Sequence, residues 1–173
     1  GGAAGVAITT GINNTLIGGL AGDALTDADS NIAIGKSALT ADTLGSKSIA
    51  IGDSALGTQN FTTATNAYNV AIGHHAGVLL TTGTNNTLIG ALAGDAITTG
   101  ASNTAVGDNA LGANTTASAN VAIGRNAALS NTTGSSLVAV GYGALQSNTE
   151  GANNTALGRN ALLANTTADY NVA

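Results

Sequence analysis

The chain lacks cysteine, proline, methionine and tryptophan, and three tyrosines and one phenylalanine are its only aromatics in 173 residues. Without cysteine there is no disulfide framework to read. Aromatics and methionine are what a globular core normally uses to fill irregular space. Their scarcity beside 43% hydrophobic residues points to a core built from one small, regular slot used many times. Charge is equally sparse. Nine acids and four bases give a net charge of −5. No basic stripe exists to neutralise phosphates, which excludes nucleic-acid binding of that kind. No run approaches the roughly 18 apolar residues of a membrane-spanning helix, so membrane insertion is not expected. The chain begins without an initiator methionine or a signal segment, so it is expected to start inside a longer or processed protein.

What is present repeats. The glycine closing each "AIG"-type phrase falls at 1, 18, 35, 52, 73, 90, 107, 124, 141 and 158, an interval of 17 except for 21 between Gly52 and Gly73. With the Asn of "NTAVG" as position 1, this glycine is position 5. Position 8 is then alanine in all ten units, from Ala4 to Ala161. Two invariant positions in ten units establish an internal repeat.

The units also compensate internally. Where position 9 is glycine (Gly5, Gly22, Gly77, Gly94), position 12 is aliphatic (Ile8, Leu25, Leu80, Ile97). Where position 9 is leucine (Leu39, Leu56, Leu111, Leu145, Leu162), position 12 is polar (Asp42, Gln59, Asn114, Asn148, Asn165). The unit at Ala127 is expected to shift its leucine to Leu129. One large aliphatic per unit, supplied from either of two places, is what a core slot of fixed volume demands.

Positions 2 and 4 are β-branched or aliphatic, and positions 3 and 5 are small in most units, usually Ala then Gly, the alternation of a strand. Glycine and "NTT" segments supply turns. Helix fails because glycine or a β-branched residue interrupts every helical turn and no 3.6-residue stripe persists. The fold class expected is all-β: a parallel β-solenoid of ten 17-residue coils, one with a four-residue insertion, in a single domain over 1–173. At ~4.8 Å per coil, ten coils make a rod of roughly 50 Å. Position 1 is Asn in eight of ten units (Ser48 and Leu137 differ), which predicts an Asn ladder along one edge.

At "NVAIGRNAAL", "NTAVGDNAL" and "SIAIGDSAL" the chain resembles the head repeats of trimeric autotransporter adhesins, and the "NTAVGxxAL" tracts of phage-type tail-fibre proteins. The resemblance covers the whole chain. It implies, for the adhesins, a left-handed parallel β-roll assembled as a trimer on a cell surface, and for the fibres an elongated shaft or receptor-facing segment. The period of 17 is longer than the usual adhesin repeat, and stalk heptads, membrane anchor and C-terminal self-cleaving chaperone are missing from this sequence. Trimerisation therefore rests on analogy and on strands apolar on both faces; the alternative is a narrow monomer that uses both faces internally. The chain is cut mid-repeat at both ends, as a segment of a longer array or a protomer that stacks head to tail would be.

Candidate contact residues come from two places. Position 6 carries Lys36, Asp53, His74, Asp108, Arg125, Tyr142 and Arg159, an exposed column that serves either as a partner or glycan contact or as a solvated turn. Lys36 with Asp53, and Asp108 with Arg125, are expected to pair between coils, at ~0–1 kcal/mol each. The insertion "NFTTATNAY" (60–68) holds Phe61 and Tyr68. It is either a binding protrusion for a cell-surface glycan or a bulge whose Phe61 covers the adjacent coil. His74 and His75 adjoin, but neighbours on a turn diverge, and no further histidine exists to complete a metal site. Seven N-x-S/T sequons occur, at Asn13, Asn60, Asn85, Asn114, Asn131, Asn153 and Asn165. They are glycosylation acceptors only in a glycosylating secretory pathway; otherwise Asn and Thr serve as turn and ladder residues.

No catalytic set, phosphate loop or cofactor motif emerges. The function expected is a non-enzymatic extracellular structural fibre segment, adhesin-like or tail-fibre-like, self-associating as a trimer or a head-to-tail filament. A glycan-binding module using the 60–68 loop is the first alternative. An ice-binding solenoid is the second, weakened because position 2 mixes Thr with Val and Ile. A polysaccharide-cleaving enzyme is a third, disfavoured because no carboxylate pair is evident.

Overall fold

A computed structural model describes all 173 residues. It contains no helix, and hence none long and apolar enough to cross a membrane. The strands of the first half are β1 (Thr15–Ile17), β2 (Ile32–Ile34), β3 (Gly45–Ser46), β4 (Ile49–Ile51), β5 (Thr65–Asn66) and β6 (Val70–Ile72). Those of the second half are β7 (Thr87–Ile89), β8 (Thr104–Val106), β9 (Val121–Ile123), β10 (Val138–Val140) and β11 (Thr155–Leu157). Nine of them form one parallel sheet in the order β1-β2-β4-β6-β7-β8-β9-β10-β11, with each strand matched in register to the next, as in Thr104↔Val121. The chain is a parallel β-solenoid, with about eight turns between β1 and β11.

Each coil is shaped by its corners. In the coil that starts at Asn103, Asn109, Leu111 and Ala119 have φ of 56°, 54° and 59°, and Gly107 has φ 130°. Positions 7, 9 and 17 are left-handed in every coil, so three left-handed residues per coil fold a three-residue strand back under itself. The left-handed region costs an ordinary residue about 1–2 kcal/mol. Asn, Ser and Gly, which occupy most of positions 7 and 17, tolerate it best. At the exposed corner of Ala119 nothing offsets this cost, so Ala119→Gly is expected to stabilise the fold by ~0.5–1 kcal/mol, measured by urea denaturation.

Position 5 has a second requirement. A methyl group on Gly107 would stand 2.7 Å from the carbonyl oxygen of Gly124 in the next coil, and the other inner position-5 glycines abut their neighbours in the same way. Coils meet there backbone on backbone. Of 110 backbone hydrogen bonds only 17 lie within strands, so corners and turns carry most of the stacking. Leu111 N–H to Ala127 C=O (3.0 Å) and Thr115 N–H to Thr132 C=O (3.2 Å) are examples.

The core is a narrow column. Alanines at positions 3 and 8 (Ala105, Ala110, Ala122, Ala127) are fully buried, and beside them lie Leu39, Leu56, Leu111 and Leu145 from position 9 or Leu25, Leu80 and Ile97 from position 12. The exchange between positions 9 and 12 is thus steric. A methyl group on Gly94 would come within 2.8 Å of both Ile97 Cδ1 and Leu88 Cδ2. The "NTLIG" coils add Leu16 or Leu88 at position 3, and it is the flanking glycines Gly5, Gly22, Gly77 and Gly94 that make room for it.

Two expectations about the core are corrected. Leu129 does not enter the slot; it lies outside the core over Gly112. Ala128 is buried in its place, and the additional aliphatic enters from the next strand as Leu137. The Asn ladder is not on an edge but inside. Asn86, Asn103 and Asn120 are fully buried. Asn103 Oδ1 accepts the Asn120 N–H (3.1 Å), while its Nδ2 donates to Ala117 C=O (3.0 Å) and Asn86 Oδ1 (3.2 Å). An alanine-lined coil is too thin to bury its turn inside apolar matter, so an amide must satisfy the backbone groups that face inward. Position 12 builds a second ladder in the last coils, where Asn131 Nδ2 donates to Gly134 C=O and Asn148 Nδ2 to Asn131 Oδ1, both at 2.9 Å.

Ser48 interrupts the first ladder, and the insertion coil repairs it. Gln59 donates to Ser48 Oγ (3.1 Å) and to the buried Asp42 carboxylate (2.6 Å), and accepts from Asn69 Nδ2 (2.9 Å). Asp42 also accepts the backbone N–H groups of Gly45 and Phe61, both at 3.0 Å, which pins the insertion to the coil before it. The short pair β3 and β5 lies beside this point.

Candidate interaction surface

The strand alternation determines which face is free. Position 3 points inward and is buried, so positions 2 and 4, the larger residues, point outward. The coil therefore does not use both strand faces internally: only its small face is inside. Position 4 presents Ile17, Ile34, Ile51, Ile72, Ile89, Val106, Ile123, Val140 and Leu157 in one continuous column, each at least partly exposed. Position 2 adds a parallel column of Ile32, Ile49, Val70, Val121 and Val138, interrupted by Thr15, Thr87, Thr104 and Thr155. No segment of the chain covers this face. An apolar strip of nine strands, ~40 Å long at ~4.8 Å per strand, is unusual on a solvated monomer.

Position 6 forms the rim where the strands leave this face. Lys36, Asp53, His74, Arg125, Tyr142 and Arg159 are exposed there and Asp108 half-buried, as the sequence predicts for the column. Arg125 Nε donates to Asp108 Oδ2 at 3.3 Å, with both side chains largely solvated, so this pair adds little stability. The expected Lys36–Asp53 pair does not form; Asp53 instead accepts from the Ser54 hydroxyl at 2.8 Å. The Arg159 guanidinium stands over the Tyr142 ring at 5.6 Å. His74 and His75 do not diverge. Their rings stack at 3.9 Å, because His75 takes the left-handed corner (φ 56°) and folds back over its neighbour. No third metal-ligating side chain joins them. In the following coil, Asp95 has its carboxyl raised above the ordinary 3.8 by burial, against the opposing pull of its own and Ala96 backbone hydrogen bonds and of His75.

The insertion divides its two aromatics. Phe61 is only 6% exposed and packs over Gly45, so the covering-bulge reading holds and Phe61 is withdrawn as a surface contact. A backbone clamped by Asp42 leaves that ring nowhere to turn but inward. Tyr68 is half-exposed, with the Lys47 ammonium 5.4 Å from its ring centre, and Thr62, Thr63 and Ala64 are exposed beside it.

Among the sequons, Asn114 and Asn131 are withdrawn as glycosylation acceptors: both are fully buried, their amides committed to Ala117 and Gly134 carbonyls. Asn165 is half-buried and donates to Asn148 Oδ1 at 2.7 Å. Asn13, Asn60, Asn85 and Asn153 are exposed, and all but Asn60 occupy the left-handed corner at position 17.

Sequence reasoning missed the outward orientation of the larger strand face. The signal was available: a slot that takes one leucine per coil has no room for two further β-branched residues. No protein-family model, no curated protein and no solved structure matches the chain.

Proposed function

We propose that this chain is a non-enzymatic structural fibre segment, displayed outside the cell or on a virion, which associates with copies of itself along its length. The observation that carries the reading is the uncovered aliphatic face of the nine-stranded sheet, at constant register along the rod. Coil-to-coil hydrogen bonds at nearly every corner support a stiff element rather than a flexible linker. The rod-like repeat of "NTAVGDNAL" phrases, similar to adhesin heads and tail fibres, supports the extracellular setting. Glycan or receptor contact on such a rod falls to Tyr68 and the position-6 rim, since Phe61 is buried.

The test is sedimentation velocity with electron microscopy. Wild type is expected to self-associate as rods at micromolar to millimolar concentration. Ile72→Lys with Ile123→Lys, two exposed outward positions, is expected to leave the strand circular-dichroism signal unchanged and to abolish association. A double variant that associates like wild type overturns the role of this face. Surface labelling of intact source cells or particles tests the location.

A further inference from the structure

The rim makes the orientation of the self-contact readable. We infer that two copies pack sheet face to sheet face with their rods antiparallel, about a two-fold axis that runs along the strand direction through the Ala91 coil. It rests on the fibre reading for its biological setting only.

The argument is geometric. When two identical sheet faces meet about a two-fold axis parallel to the rods, the position-6 rim of one copy lies beside the opposite rim of the other. When the axis runs along the strands, the two rods are antiparallel and the two position-6 rims face each other. Only the second arrangement places this column against itself, reversed. Coils stack at a constant register, so the pairing can be counted. About Ala91, the reversed column sets Asp53 against Arg125 and His74 against Asp108, each twice, and Lys36 against the Tyr142 ring. The small Ala91 falls on the axis, where a residue meets its own copy. Because Arg125 already holds Asp108 within the chain, the contact would string Asp53, Arg125, Asp108 and His74 into one alternating row across the two copies.

The same column rejects neighbouring registers. Moving the axis by half a coil toward the N-terminus sets Asp53 on Asp108 and Lys36 on Arg125. Moving it half a coil the other way sets Lys36 on Arg159. A full-coil shift to an axis at His74 leaves Lys36 against Asp108 as the one complementary pair, where the Ala91 axis has both Asp53 with Arg125 and His74 with Asp108. The aliphatic face attracts at every register, while the rim rejects the half-coil shifts and is most complementary about Ala91, the usual division between apolar burial and charge complementarity. A strip ~40 Å long and ~12 Å wide buries on the order of 1,000 Å² over both copies, the low end of specific interfaces. The contact is accordingly weak and reversible for one pair, and grows with the number of coils engaged.

The chain has no cysteine, which permits single-site spin labels without background. Labels at Gly19→Cys and, separately, at Ala91→Cys report the orientation by dipolar distance measurement. An antiparallel pair places the Ala91 labels close together and separates the Gly19 labels by eight coils, ~38 Å. A charge test accompanies it. Asp53→Arg alone and Arg125→Asp alone are each expected to weaken dimerisation about tenfold at low salt, while an equal mixture of the two variants restores it, because the mixed pair has opposite charges at both contacts. Equal distances for both labels, or a three-fold species, overturn the antiparallel contact and leave the fibre reading standing. A wild type that stays monomeric at all concentrations overturns the self-association proposed for the face itself.

Discussion

Gly107→Ala is expected to lower the stability of the rod by more than ~3 kcal/mol and to shift or split its thermal transition, as followed by circular dichroism in the strand region. Two independent costs meet at this residue. Its φ of 130° lies where only glycine is at ease, and its missing Cβ would stand 2.7 Å from the Gly124 carbonyl oxygen and 3.0 Å from Arg125 N. Those neighbours are backbone of the next coil, held by Gly124 N–H to Val106 C=O, Ala127 N–H to Gly124 C=O and, from the coil beyond, Gly143 N–H to Arg125 C=O, so they cannot yield locally. Relief requires that two coils move apart, which forfeits several hydrogen bonds. In a one-dimensional stack each coil is stabilised mainly by its neighbours, so a broken interface in the middle divides the rod. Gly19→Ala is the control: that glycine has ordinary φ and nothing nearer than 3.9 Å to a new methyl, and the change is expected to stay within ~0.5 kcal/mol.

The second large effect is expected for Asn103→Ala, a loss of ~2–4 kcal/mol by urea denaturation. The side chain is fully buried and joins three coils: it accepts from the Asn120 backbone and donates to Ala117 and Asn86. Alanine would leave the Asn120 N–H without this acceptor in a site no water reaches, and would add a void the size of a carboxamide. Ala117 C=O retains its bond from Asn114 Nδ2 (3.1 Å), which keeps the loss below that of three broken bonds.

Much of this was legible in the sequence, and the reasons are specific. The 17-residue interval and the invariant Gly and Ala identify a coil, because a backbone contact repeated at every level requires glycine at every level. The alternation of leucine between positions 9 and 12 announced a slot of fixed volume, and Leu25, Leu56 and Ile97 fill it. The left-handed corners were half-visible in the Asn, Ser and Gly of positions 7 and 17, but Leu111 and Tyr68 at φ 54° and 50° carry no such signal. The rim column was correctly placed on the surface, and one of its two expected ion pairs forms: Arg125 reaches Asp108, whereas Lys36 does not reach Asp53.

By itself, then, the sequence determined the period, the strand class and the alanine-and-leucine slot of the core, because these follow from sterics repeated in every unit. Tertiary structure decided three things that depend on direction. The Asn ladder turned inward, since a coil lined by Ala105 and Ala122 needs an amide to satisfy its inward-facing backbone. Phe61 turned inward as well, because Asp42 anchors the backbone beside it. The larger strand face turned outward, because the slot that accepts Leu111 and Ala105 has no volume left for Val106 and Thr104, and that single choice of side is what leaves the rod with an apolar face to share.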